Sequence, residues 1–419
     1  MRLFNEDISL QKQFVNGTHR TRSPEETVEK YWPLAKEMGI TRLANVTGLD
    51  YIGMPVWIAV RPNSSGLSTS QGKGLTHHAA KASALMESIE CWHAENITSP
   101  CQFTSPTQLA QTTSVVDIEE LNYYAATPPR ADLPMPWLKG YDLINKMERW
   151  VPLECVSTNY VAAAGMYNQN CFVQSTNGLA GGNHILEAIS HALCEIIERD
   201  ALAQAEHDMR SLPPHRVIKK NSVTDQNCLK AMQLLDKNEI EYVLVDLSSD
   251  VGLPVIGCSI VEKDQHLGWR TLPIFNGYGC HLAPEIALFR ALSEAVQSRL
   301  THISGTRDDI IQSEYSRGGN ADDLANFRQH IENTKAGVDF SSIPSLATNS
   351  FDGDIELILS KLVAIGITQA VAVDLSKEQH AIPVVKVIVP GLAAPSGMMK
   401  AKDVKSPRRP SQQNGVKAA

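Results

Sequence analysis

The sequence predicts a mixed α/β fold of the α+β kind: repeated helix–β-hairpin units, with mostly antiparallel sheets packed against helices around one central site. Three observations carry this expectation. A helix–strand–turn–strand pattern recurs three times, and a glycine loop feeding a helix with Ala-Leu-x-Glu also recurs three times. The composition, 43% hydrophobic and 20% charged, is that of an ordinary globular chain. Repetition on this scale is a statement about architecture, because each unit buries its apolar face against its neighbours.

The chain has 419 residues, enough for one large or two ordinary domains. Its formal charge of −8 argues against a nucleic-acid surface as the main partner. No run of about 18 apolar residues exists, so no membrane span is expected. The opening Met-Arg-Leu-Phe-Asn-Glu-Asp has no apolar signal core. Eight cysteines (Cys91, Cys101, Cys155, Cys171, Cys194, Cys228, Cys258, Cys280) are scattered with no CxxC pair. That pattern fits reduced thiols in the cytoplasm, not a disulfide framework or a zinc ribbon.

Taken in order, residues 1–22 are polar and expected to be irregular. Ser23-Pro24-Glu25-Glu26 reads as a helix start, with Ser as N-cap and Pro at the first helical position. The helix is expected to reach Met38, with Gly39 as its cap. The first hairpin pattern follows, with Asp50 in its turn and Met54-Pro55-Val56 opening its second strand. The second copy runs from Leu234 through Ile240–Asp246 to Leu253-Pro254-Val255. The third runs from Leu362 through Ile367–Asp374 to Ile382-Pro383-Val384. A proline at the start of a strand does least harm, because its missing N–H is not yet needed by the ladder. Past Thr301 come Arg307-Asp308-Asp309 and a polar helix over about Ala321–Lys335. Residues 23–395 are therefore expected to form one domain. Residues 396–419 hold six basic residues against Asp403 and are expected to be a disordered tail.

The glycine-loop repeat carries the chemistry. Gly72-Lys73-Gly74 precedes Ser83-Ala84-Leu85-Met86-Glu87, Gly181-Gly182 precedes His191-Ala192-Leu193-Cys194-Glu195, and Gly277-Tyr278-Gly279 precedes Arg290-Ala291-Leu292-Ser293-Glu294. Three helices thus project glutamates toward one site. Ile185, Ile189, Ala192, Leu193 and Ile196 form a buried stripe on the middle helix, so Glu195, Glu198 and Arg199 cannot all point freely into water. Glu87 with Glu90, and Glu195 with Glu198, are carboxylate pairs three residues apart on a helix face. Such pairs repel beside an apolar core unless a cation lies between them. Mg²⁺ suits hard oxygen ligands, and a bound nucleotide can complete its shell. Arg199 and Arg290 suit phosphate oxygens, while Glu294, one turn beyond Arg290, can pair with it. Lys73 can approach an anion, although its Gly-Lys-Gly lacks the Walker spacing.

His77, His78 and His93 are read as helix-surface and packing residues, since adjacent histidines point in different directions. Cys91 and Cys194 are read as small buried hydrophobes. Trp57 and Trp92 are read as core.

Together, Gly-Lys-Gly with Ser83-x-x-x-Glu87-x-x-Glu90, Asn177-Gly-x-x-x-Gly-Asn183-x-x-x-Glu187, Glu195-x-x-Glu198-Arg199 and Arg290-x-x-x-Glu294 resemble the YcaO family. The resemblance covers about residues 15 to 392. It implies a YcaO-like fold with a central ATP and Mg²⁺ site lined by glutamates. Glu87, Glu90, Glu195 and Glu198 look like Mg²⁺ ligands. Ser83, Asn183, Glu187, Arg199, Arg290 and Glu294 look like nucleotide contacts, and Lys73 is grouped with them. Glu198, Arg199 and Arg290 are the residues expected to carry catalysis.

The opening Gly17-Thr18-His19-Arg20, Ser23-Pro24-Glu25-Glu26-Thr27 and the closing Val389-Pro390-Gly391-Leu392 are similar to the branch that works beside a TfuA partner. That branch forms thioamides from external sulfide. The resemblance therefore implies phosphorylation of a peptide amide oxygen and replacement of that oxygen by sulfur. A TfuA-like protein, a precursor peptide and a sulfide donor are the implied partners, and a homodimer is the default assembly. Azoline-forming members end in Pro-x-Pro-x-Pro, whereas this chain ends Asn414-Gly-Val-Lys-Ala-Ala419. An azoline-forming cyclodehydratase and a non-catalytic scaffold are the competing readings.

Overall fold

The computed structural model describes residues 1–4, 6–161, 169–263, 272–310, 315, 320–393 and 404–405, with the side chains of 206–210 set aside. Helix α1 (Pro24–Ala35) begins at a capping box. The Ser23 hydroxyl accepts from Glu26 N at 3.2 Å, and the Glu26 carboxylate accepts from Ser23 N at 2.8 Å. The helix stops short of Met38. The chain leaves through a Schellman-type turn, with Ile40 N donating to Ala35 O at 3.0 Å and Gly39 at φ 77°.

The first unit continues through β1 (Arg42–Asn45), β2 (Val56–Val60), β3 (Thr69–Lys73) and α2 (His77–Glu95). A connecting region then supplies β4 (Met135–Asp142) and β5 (Met147–Pro152). Next come β6 (Leu179–Gly181) and α3 (Ile185–Ser211), which breaks at Ala205. The second unit is α4 (Gln226–Lys237), β7 (Ile240–Asp246), β8 (Val255–Glu262), β9 (Phe275–Cys280) and α5 (Pro284–Ser304). After α6 (Ala321–Asn333) come α7 (Phe351–Ala364), β10 (Val371–Asp374) and β11 (Val384–Ile388).

All three expected hairpins form, and Pro55, Pro254 and Pro383 each immediately precede the second strand. Every strand pairing among the described residues that builds them is antiparallel.

The two sequence repeats are halves of one structural unit. In the first unit β2 pairs β3, with Val56 opposite Lys73. In the second β8 pairs β9, with Val255 opposite Cys280. In the third β11 pairs β6, with Val384 opposite Gly181. A helix starts four residues after each partner: 73 to 77, 280 to 284, 181 to 185. Glu87, Glu294 and Glu195 each follow their partner by fourteen residues, so they are equivalent positions. The third unit joins α7, β10 and β11 to a third strand and helix that come earlier in the chain.

The repeated glycines serve packing. A Cβ on Gly72 would stand 2.1 Å from Ala80 O and Ala84 N of α2, and one on Gly277 would stand 2.1 Å from Ala295 N of α5. Bare backbone lets each helix lie directly on its strand. Gly72 and Lys73 are strand residues of β3, not part of the glycine loop expected before the helix.

One core joins the first two units, with Val56 and Ile58 beside Tyr242, Leu244 and Leu292. Arg299 of α5 ties the units further: it donates to Asp50 at 2.8 Å and to Glu262 at 2.9 Å, with its side chain 3% exposed. The third unit extends into a six-stranded sheet, where Val371 of β10 lies opposite Asp142 of β4.

The N-terminal segment has little regular structure but is firmly attached. Leu3 is buried, Leu10 N donates to Asp352 at 2.9 Å, and Lys12 pairs with Asp354 at 2.6 Å. Within 396–419, Val404–Lys405 pairs with Tyr123–Tyr124; the rest of that segment lies outside the described residues. Among the described residues, no helix is long and apolar enough to cross a membrane.

Candidate active site

The equivalent faces of α2, α3 and α5 converge on a cavity of about 670 Å³. All eleven residues singled out from the sequence line it. From the first unit come Lys73, Ser83, Glu87 and Glu90; from the third come Asn183, Glu187, Glu195, Glu198 and Arg199; from the second come Arg290 and Glu294. The expected stripe on α3 is buried at Ile189, Ala192, Leu193 and Ile196, which turns the opposite face of that helix into the cavity.

Three carboxylates are held by backbone N–H groups, each from the third strand of a different unit. Gln71 N donates to Glu87 at 3.2 Å, Gly181 N to Glu90 at 2.6 Å, and Cys280 N to Glu198 at 2.9 Å. Strand backbone thereby aims the side chains, and the second oxygen of Glu198 lies 3.8 Å from Arg199. Lys73 of β3 pairs with Glu294 of α5 at 2.9 Å.

Burial raises Glu87 to about 7, opposed by the nearby Lys73, and raises Glu90 to about 8, with Glu87 adding to the shift. Glu87 is open to the cavity on one side, and the protein walls on the others set the upward direction, with Lys73, the Gln71 N–H and Arg307 opposing it. Burial also raises Glu195 and Glu198. Burial pushes Glu294 the same way, but Lys73 and Arg199 prevail and hold it below its ordinary value.

Among the described residues, no three acidic, His or Cys side chains are already gathered tightly enough to hold a metal ion. The donor set nevertheless fits Mg²⁺. Hard oxygens predominate, their mutual repulsion calls for a cation, and Mg²⁺ usually takes only one or two protein carboxylates beside water and phosphate oxygens. Arg290 Nε and Asn183 Oδ1 are buried without hydrogen-bond partners, as groups waiting for a ligand would be.

Several cavity residues carried no site assignment in the sequence. Arg20 pairs with Glu187 at 3.4 Å, while Thr21 N and Oγ1 donate to the same carboxylate at 3.0 and 2.9 Å. The N-terminal segment thus forms one wall, with Arg20 and Arg22 on it. His191 also lines the cavity; its repeat position, shared with Ser83 and Arg290, was the signal that could have found it. Burial holds its imidazole well below the usual range, so it is neutral. Arg307 enters from the loop after α5, and no local pattern announced it.

The remaining sequence readings fall into place. His77 and His78 are exposed and His93 is buried. Cys91 lines the cavity, but burial drives its thiol far up, so it is no ready thiolate; Cys194 is buried. All eight cysteines are free. Trp57 and Trp92 are only half-buried, a correction to their reading as core, because each packs at the edge of a cluster.

A threefold-repeated unit with carboxylates and arginines around one cavity is the kind of site that suits a polyanion with divalent metal. The chain belongs to the YcaO family: the family model, described as YcaO cyclodehydratase, ATP- and Mg²⁺-binding, matches residues 71–393. An uncharacterized protein of Methanothermobacter thermautotrophicus is 35% identical over 375 residues, 88% of this chain and 94% of its own. A Rhizobium leguminosarum bv. trifolii protein, known as the uncharacterized protein in the tfuA 3′ region, is 32% identical over 397 residues, 92% of this chain and 91% of its own. In fold, the chain is similar to YcaO from Methanopyrus kandleri bound with AMPPCP and Mg²⁺. The TM-score is 0.73 at 23% identity, over 97% of this chain and 100% of that one. The expected cofactors, ATP and Mg²⁺, are those of the family, and the expected mixed fold with antiparallel sheets is the one observed.

Proposed function

We propose that the protein uses ATP to activate a peptide backbone amide and that sulfide then converts the amide to a thioamide. The observation that carries this reading is the cavity in which Glu87, Glu90, Glu195, Glu198, Arg199 and Arg290 converge. The relative from the tfuA 3′ region supports a TfuA-like protein as partner, and the choice of sulfide rests on the resemblance of the opening and closing motifs to the TfuA-associated branch.

An amide oxygen is a poor leaving group, and phosphorylation makes it a good one. The γ-phosphoryl passes to the amide oxygen, ADP departs, and the amide nitrogen gives up its proton. Hydrosulfide then adds to the carbon. The C–O bond breaks, phosphate leaves with the oxygen, and the nitrogen is reprotonated as the C=S bond is completed. Arg199 and Arg290 hold the phosphate oxygens. Mg²⁺, held by Glu87, Glu90, Glu195 and Glu198, would neutralise charge on the transferring phosphoryl.

The family's description as cyclodehydratases favours a second reading, attack by a Cys, Ser or Thr side chain to give an azoline. Product mass separates the two. Incubation with ATP, Mg²⁺, sulfide and candidate peptides should replace one oxygen by one sulfur. Loss of water, with no sulfur gained, would establish the azoline reading instead. A scaffold without nucleotide binding would be exposed by calorimetry with ATP and Mg²⁺.

A further inference from the structure

The cavity has two chemically different ends, and β3 runs between them. At one end Leu75 abuts Gly17 of the N-terminal segment, near Arg20, Asn183 and Glu187. Next along the strand, Lys73 meets Glu294, and Gln71 N meets Glu87. At the far end Thr69 Oγ1 donates to Thr306 O at 2.8 Å. Helix α5 runs antiparallel to this axis, from Arg290 through Glu294 and Gln297 to Thr301. Of the residues matched to nucleotide contacts, Glu187, paired with Arg20, lies toward the Gly17 end, while Lys73 and Glu294 lie in the middle with the metal-type carboxylate Glu87. The far end has no counterpart in either set.

That end is polar, and its acids, Asp308 and Asp309, are engaged by Ser68 and Arg307. Gln297 lines it, and its side chain makes no hydrogen bond within the described residues. The Thr301 hydroxyl bonds the Gln71 carboxamide. Arg307 is its cation, held by Asp309, with Nε donating at 2.8 Å. The loop that carries Arg307 is clamped to β3: Ser68 N and Oγ donate to Asp308 at 3.2 and 2.9 Å, and Gln71 Nε2 donates to Thr306 Oγ1 at 3.3 Å. Five side-chain contacts for one short loop fix the guanidinium in place. It lines the cavity within electrostatic reach of Glu87, with its side chain 39% exposed.

We infer that this end receives the peptide bond to be modified, with Arg307 donating to the amide oxygen and the Gln297 carboxamide pairing with the amide group. The inference rests on the cavity's being the nucleotide-dependent site proposed above. A carboxamide offers one donor and one acceptor, the complement of a peptide unit, and a guanidinium adds charge-assisted donors to the oxygen that takes on charge. Neutral side chains with one arginine suit a backbone amide of any sequence better than they suit a charged side chain.

The test uses the full chain loaded with AMPPNP and Mg²⁺, with N-acetylglycine N-methylamide as the probe for a peptide unit. Saturation-transfer NMR reads probe binding, and calorimetry reads binding of the nucleotide analogue. Wild type should bind the analogue and transfer saturation to the probe. Arg307→Gln should keep analogue affinity within about threefold and lose at least about tenfold in probe signal. Arg307→Lys should restore part of that signal, and Gln297→Leu should reproduce the loss without touching the loop. Equal probe binding in wild type, Arg307→Gln and Gln297→Leu would overturn the inference. So would a loaded wild type that gives no probe signal, or a loss of analogue affinity that parallels the loss of probe. Failure of wild type to bind the analogue at all would instead refute the nucleotide reading beneath it.

Discussion

Lys73 on β3 and Glu294 on α5 meet at 2.9 Å and join two units across the cavity. Both side chains are about one-fifth exposed (19% and 20%), so the pair is partly screened. Lys73 is also the chief influence that keeps Glu294 ionised against burial. Lys73→Met is expected to weaken ATP–Mg²⁺ analogue binding about tenfold, because an unpaired carboxylate would then face the phosphates. In a double-mutant cycle with Glu294→Gln, the losses should be less than additive by calorimetry. Strict additivity would mean that the pair is not coupled to the ligand.

Glu198→Gln should abolish turnover without unfolding the chain. The amide oxygen of Gln still accepts from Cys280 N, which now donates to the carboxylate at 2.9 Å, so packing survives while the negative charge is lost. The urea midpoint should stay near wild type, and phosphate release should fall at least about a hundredfold. Unchanged turnover would remove Glu198 from the metal set.

Proton linkage gives a third expectation. Burial lifts Glu87 to about 7 and Glu90 to about 8 from 4.5 in the unfolded chain. Between those limits the folded chain binds more protons than the unfolded one, so without Mg²⁺ its stability should fall as pH rises through that window. Mg²⁺ must displace the protons to bind these carboxylates. Its stabilising effect should therefore be larger at about pH 8.5 than at about pH 6, with protons released on binding. Thermal melts with and without Mg²⁺, and calorimetry in buffers of different ionisation enthalpy, measure both. A Mg²⁺ effect independent of pH would contradict the assignment.

Gly72→Ala should be strongly destabilising. The added carbon would meet backbone atoms of Ala80 and Ala84 at 2.1 Å, and backbone cannot swing aside as a side chain can. Urea unfolding should show a loss of roughly 3 kcal/mol or more. Gly48, where a Cβ would meet nothing within 4 Å, is the control and should tolerate Ala. Similar losses at both positions would mean that Gly72 is not a packing contact.

Much of the site was legible locally. The i, i+3 carboxylate pairs, the prolines that open strands and the Ser23 cap are patterns set by neighbours within one or two turns, and backbone geometry converts such spacings directly into faces. The spacing of Ala80 and Ala84 from Gly72 was visible only as small residues. The glycines were legible as a loop before a helix, whereas Gly72 serves to let α2 touch β3. Met86 and Ala82 also line the cavity, because a wall of a polar site can be built from small apolar groups.

The chain order by itself determined the parts: three hairpins, three glycine-led helices, and glutamates at matched places on each. Only the tertiary structure decided how the parts combine. Strand pairing depends on which backbones lie side by side, not on their order along the chain. Val384 can therefore find Gly181 as its partner, although Gly181 lies far upstream, and so complete a third unit from two separated segments. The same long-range packing brings Arg20, from before the first helix, and Arg307, from after the last glutamate helix, to opposite ends of one cavity. No periodicity encodes such a meeting, since neither residue's neighbours in sequence are its neighbours in space.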